Sequence, residues 1–142
     1  MIDKHLEANI KNTEEFLEYW IKFNQIYKDI ISVRQGSTSV TDIFFSTQNI
    51  VNHRFEDFLD SIGISHKQRV DRYFGIYRIL SIKDLDVMSD SKIDQIKEDW
   101  TESFILLYDL LKRFKRKKSR IEDINGMFFR VKKFFNKGGK ND

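Results

Sequence analysis

The 142-residue chain has no cysteine and no proline, and only six glycines and three histidines. Without cysteine there is no disulfide, no thiolate metal site and no cysteine nucleophile. That usage fits a cytoplasmic (intracellular) protein. Without proline, and with so few glycines, little in the chain interrupts regular helix. No run of 18 apolar residues occurs, so no membrane span is expected. Residues 1–11 mix charges with short apolar stretches and do not read as a secretory signal.

Chemistry-bearing patterns are equally sparse. His5, His53 and His66 stand apart, with no acid three or four residues before any of them. Zinc and carboxylate–histidine metal spacings are therefore missing, and Gly36 stands alone rather than in a phosphate-cradling loop. Glu98, Asp99 and Glu102 fall off the apolar stripe of their segment, where a solvated helix face is the expected role. The chain reads as a non-enzyme that needs no metal and no cofactor.

What the chain does have is aromatic bulk, with 13 Phe, 5 Tyr and 2 Trp. Most of it sits in helical periodicity. Thr13 reads as an N-cap followed by Phe16, Trp20, Phe23, Tyr27 and Ile30, a helix ending near Arg34. Thr41 or Asp42 opens a second helix with Phe44, Val51, Phe55, Phe58 and Ile62 inward. Gly63 follows as a left-handed C-cap. Ser65 and Gln68 form a capping box for a third helix, with Val70, Tyr73, Phe74, Tyr77 and Leu80 inward. A polar connection over 83–89 leads to Ser91 and Asp94, where helix restarts.

The last third carries a repeat of seven: Ile93, Trp100, Leu107, Phe114, Ile121, Phe128 and Phe135. Companion positions three residues on are Ile96, Ser103, Leu110, Lys117, Ile124 and Val131. A period of seven keeps one stripe on one side of a helix, as in a coiled-coil seam. Unbroken, it spans roughly 67 Å. Ser119 with Glu122 and the Asn125–Gly126 pair allow a break into two helices, or a hairpin turning at Asn-Gly. The continuous register favours one helix. The expected fold is all-α: one domain, 1–142, a bundle of three shorter helices on a long C-terminal helix with heptad spacing.

Charge is small in total, +3, but unevenly placed. Residues 112–142 hold twelve Lys/Arg against three Asp/Glu, net +9, and residues 1–111 hold thirteen against nineteen, net −6. The densest run is Lys112, Arg113, Lys115, Arg116, Lys117, Lys118 and Arg120, with Arg130, Lys132 and Lys133 extending it. Such a run implies an anionic partner: nucleic acid (RNA or DNA), an acidic protein surface or a lipid surface. The Met127–Phe135 stretch is basic and amphipathic, suited to an anionic membrane, a partner's groove or simple packing. A second basic set, His66, Lys67, Arg69, Arg72 and Arg78, reads as ordinary surface charge unless the fold aligns it with the first.

Two functions fit. One is a non-catalytic module reading nucleic-acid backbone or shape through the 112–120 run, inside a nucleoprotein assembly. The other is a protein-interaction protein (adaptor, inhibitor or assembly subunit) that uses the heptad seam. In both, Ile121, Ile124, Phe128, Val131 and Phe135 outrun the shorter helices, and a second copy is the simplest cover, giving a dimer.

Overall fold

The computed structural model describes residues 4–33, 38–85 and 88–139, and side chains within them except at 33, 38, 39 and 134–139. The described residues form five helices: α1 (Lys4–Val33), α2 (Thr38–Ser61), α3 (His66–Arg72), α4 (Phe74–Leu80) and α5 (Asp90–Gly139). No strand occurs among them, and no helix is long and apolar enough to cross a membrane.

α1 is longer than its periodic stripe suggests, because Thr13 does not cap it. Thr13 is fully buried inside the helix, and its Oγ1 donates to the Asn9 carbonyl at 2.6 Å. The helix continues back to Lys4, where Leu6 is also buried. α2 stops as its sequence predicts. Gly63 takes φ +78°, the Ile64 N–H reaches the Leu59 carbonyl at 3.0 Å, and the Gly63 N–H reaches Asp60 at 3.1 Å. That pair of bonds is a Schellman closure, and a side chain at 63 would be strained whatever the space around it.

The third predicted helix is two short ones, α3 and α4, broken at Tyr73 (φ −116°, ψ 35°). Ser65 stands at the N-cap but makes no side-chain capping bond. The break rotates the buried face. Val70 and Phe74 are exposed, while Arg69, Tyr73, Ile76, Ile79 and Leu80 turn inward. The Gln48 amide then donates to the Ile79 and Ile82 carbonyls at 3.2 and 3.0 Å, satisfying groups freed at the end of α4. The 83–89 connection is less polar in effect than in composition, since Leu85 is buried and Met88 packs on the core.

α5 runs 50 residues without a break, so neither the Ser119 box nor Asn125–Gly126 interrupts it. Its start is fixed by Ser89, whose Oγ accepts from the Lys92 N–H at 3.2 Å; Ser91 is not the cap. α1 and α5 run antiparallel: Ile31 and Ile93 share one cleft, the Trp20 and Trp100 rings meet at a 45° tilt with centroids 4.7 Å apart, and Glu7 meets Lys118. α2 also runs antiparallel to α1, with Phe44 on Phe23 and Phe58 on Phe16. The core between them is largely aromatic. Ser103, the polar position in the seam, is buried there because it accepts the Trp20 indole N–H at 2.8 Å.

Candidate functional site on the last helix

The burial of α5 changes along its length. Ile96, Trp100, Ser103, Leu107 and Leu110 are buried, and Phe114 packs partly on the core. Near residue 121 the helix passes the first described turn of α1, and residues 122–139 continue for about 27 Å. Ile121 is half-buried at that edge. Beyond it Ile124 is 51% exposed, Met127 61%, Phe128 71%, Phe129 67% and Val131 46%. Ile124, Met127, Phe128 and Val131 fall at i, i+3, i+4 and i+7, one face of the helix. The Phe135 side chain lies outside the described residues. Exposed large apolar residues elsewhere come singly or in pairs (Val70 with Phe74, Ile105 with Tyr108); here four share one helix face.

The seven cations form a collar where the helix leaves the body. Three of them have carboxylate partners. Arg113 pairs with Asp109 at 2.7 Å, Lys115 with Glu14 at 3.6 Å, and Lys118 with Glu7 and Glu122, both at 3.8 Å. All are solvent-accessible pairs, each worth about 0–1 kcal/mol. Lys112, Arg116, Lys117 and Arg120 are exposed and make no ion pair among the described residues. Lys117 occupies a seam position, and it is accepted because the seam has already left the core there. Arg130, Lys132 and Lys133 are exposed about 20 Å further along, beyond Glu122 and Asp123. The Arg130 Nε–H turns back to the Gly126 carbonyl at 3.3 Å.

The second basic set does not form a surface with the collar. Arg69 is no surface residue: 3% exposed, it donates to Glu56 at 2.7 Å, to Asp60 and to the Ile64 carbonyl. Its guanidinium holds the Asp60 carboxyl below the usual carboxylate value. Tyr77 joins the cluster, donating to the other Glu56 oxygen at 2.7 Å. Arg78 lies 3.3 Å from Asp99 and stacks over Phe74. Only Arg72 meets the collar, lining with Arg113 a cleft that also contains Glu102 and Asp109. Asp99 departs from the outward placement expected of it. It is 5% exposed, packed against Gly75, and burial raises its carboxyl despite Arg78.

A second concave feature, between α1 and the first turns of α5, leaves no mark in the residue pattern. Asn24, Tyr27, Lys28, Ile31 and Ser32 face Ile93, Lys97, Trp100, Thr101 and Phe104 across a cleft of about 360 Å³. The Tyr27 hydroxyl and the Trp100 indole N–H are both buried without a hydrogen-bond partner. Burial pushes the Tyr27 phenol up to about 12. No group of three or more His, Asp or Glu side chains fit to hold a metal occurs among the described residues. No family model, no curated protein and no solved structure matches this chain.

Proposed function

We propose that the protein is a non-catalytic helical interaction protein that self-associates through the projecting half of α5. The observation that supports this reading is the contiguous apolar face of Ile124, Met127, Phe128 and Val131, each 46–71% exposed. Completing their burial on two chains is worth about 7–14 kcal/mol, comparable with the cost of association, and Ile121 adds to it. The heptad repeat then serves two contacts in succession, a helical bundle in its first half and a coiled-coil-like seam in its second.

Charge selects the orientation. In a parallel pair the two collars would lie side by side, seven cations against seven. In an antiparallel pair centred near Gly126 they lie about 30 Å apart, several Debye lengths at physiological salt. That register sets Phe128 opposite the partner's Ile124 and Glu122 beside the partner's Arg130, and it leaves Lys132 beside the partner's Arg120 in place of two whole collars in contact. Since the chain has no native cysteine, single substitutions report it cleanly. Ile124→Cys chains should couple by disulfide to Phe128→Cys chains and poorly to themselves. Self-coupling at both positions would mean a parallel pair. No coupling at either, with the fold intact, would remove the self-association reading.

A second reading rests on Lys112, Arg116, Lys117 and Arg120, which are exposed and without ion partners among the described residues. They suit nucleic-acid backbone, recognised by phosphate position rather than base sequence. About four phosphate contacts give a slope of log affinity on log salt near −3 to −4. Arg116→Gln with Lys117→Gln should lower that slope by about two, and salt-independent binding of oligonucleotides would exclude the reading.

A further inference from the structure

The cleft between α1 and α5 has the composition of a small-molecule site. Its wall is apolar and aromatic: Tyr27, Ile31, Ile93, Trp100 and Phe104. Its position follows from the packing. Residues 24, 27, 28 and 31 share one face of α1, and 93, 97, 100, 101 and 104 share one face of α5. Where these faces meet, Asn24, Ser32 and Thr101 are too short to close the gap between the helices.

Two features distinguish the cleft. Lys28 and Lys97 stand on opposite walls, exposed, and neither makes an ion pair among the described residues. Two ammonium groups at one apolar trough, neither paired with a carboxylate, favour an anion bound between them. The second feature is the pair of orphaned polar groups in the lining, the Tyr27 hydroxyl and the Trp100 indole N–H. A buried donor without a partner is destabilising, and the indole can only donate. The lysines ask for an anion; the orphaned hydroxyl and indole N–H lie closed off behind the aromatic wall that a ligand would cover. Other concave surfaces lack this combination. The cleft at Arg72 and Arg113 carries its own acids, Glu102 and Asp109, and the one at Arg54 carries Glu15 and Asp57.

We infer that this cleft binds a small aromatic carboxylate, its ring against Trp100 and Phe104 and its carboxylate between Lys28 and Lys97. An aromatic ring is favoured over an alkyl chain because the wall it meets is itself aromatic: Trp100 and Phe104 stack, centroids 6.3 Å apart, with Phe104 the half-buried outer ring. The carboxylate then accepts from the two lysines, and the ring covers the wall behind which the Trp100 N–H lies.

The two tryptophans make the test internally controlled. The Trp20 N–H is already bonded to Ser103, 83 residues away, and does not line the cleft. Full-length protein is titrated with 1-naphthaleneacetate while both indole N–H resonances are followed by ¹⁵N-correlated NMR. Ser103→Ala assigns them, because it removes the acceptor of the Trp20 indole N–H, whereas the Ser103 bond to Trp100 is to the main-chain carbonyl and not to the indole. The Trp100 resonance should move saturably and the Trp20 resonance should hold still. The neutral analogue 1-naphthaleneethanol should bind about three- to tenfold more weakly, as should the acid to Lys28→Gln/Lys97→Gln. Both lysines are exposed, so the double variant keeps the fold. An unmoved Trp100 resonance at millimolar acid would overturn the site. Equal binding of acid and alcohol, or no loss in the double variant, would overturn its anionic character and with it the proposal.

Discussion

The two halves of α5 share one helix and one seven-residue repeat, yet they meet different surroundings. Leu107 and Phe128 occupy the same heptad position three repeats apart; the first is fully buried and the second is 71% exposed. The first half is covered by α1 and α4, with Trp20, Tyr73 and Asp99's partner Arg78 against it. The second half has outrun every described helix that could cover it. Periodicity in a helix therefore specifies a face and its direction. It does not say whether the surface that meets the face belongs to the same chain.

The largest test of that contrast is a pair of truncations at one heptad position. Leu107→Ala should cost about 2–5 kcal/mol of folding stability, because it opens a cavity in a closed core. Phe128→Ala, measured in dilute solution by denaturant unfolding, should change stability by no more than about 0.5 kcal/mol. Similar losses at both positions would mean that the projecting half is covered by its own chain.

A smaller effect separates the polar positions of the two halves. Ser103→Ala removes the acceptor of the buried Trp20 N–H and should destabilise by about 1–3 kcal/mol. Ser119→Ala, on the exposed stretch, should be neutral or slightly stabilising, since alanine is the better helix former. Thermal unfolding of both variants gives the comparison, and a neutral Ser103→Ala would mean Trp20 finds another acceptor.

The smallest expected effect is a pH dependence. Asp60 titrates below its ordinary 3.8 because Arg69 hydrogen-bonds its charged form. Its contribution is complete above about pH 4 and is lost as pH falls through the lowered folded value. Asp60→Asn should therefore flatten the acid limb of the stability profile and leave its neutral region little changed in slope. Asp99 works in the opposite sense, since burial raises its carboxyl and ionising it costs stability as pH rises. An acid limb unchanged in Asp60→Asn would remove the Arg69 clamp from the account.

Much of the architecture was legible in the residues. The seven-residue register from Ile93 predicted one final helix, and Gly63 marked the end of α2. The departure of the helix from the body was signalled by Lys117 on the seam, a charge that no closed core accepts. Features that depend on distant partners were hidden. Ser103 is a gap in the repeat until Trp20 is brought beside it. Arg69 resembles any surface arginine until Glu56 and Asp60, on the preceding helix, close around it. Asp99 is an off-stripe acid until Gly75 lets α4 approach it. The break at Tyr73 left no mark, because neither glycine nor proline makes it. The α1–α5 cleft is hidden for the same reason: its walls come from residues about seventy positions apart.

The exposed half of the heptad face, as proposed above, is an interface between two copies. The most direct measurement is the solution mass across the micromolar range, by light scattering coupled to size exclusion. A chain of 17.1 kDa should approach twice that mass as concentration rises. Ile124→Asp with Phe128→Asp should hold it at the monomer mass with its helical content unchanged. Wild-type protein that stays at 17.1 kDa throughout would contradict the account.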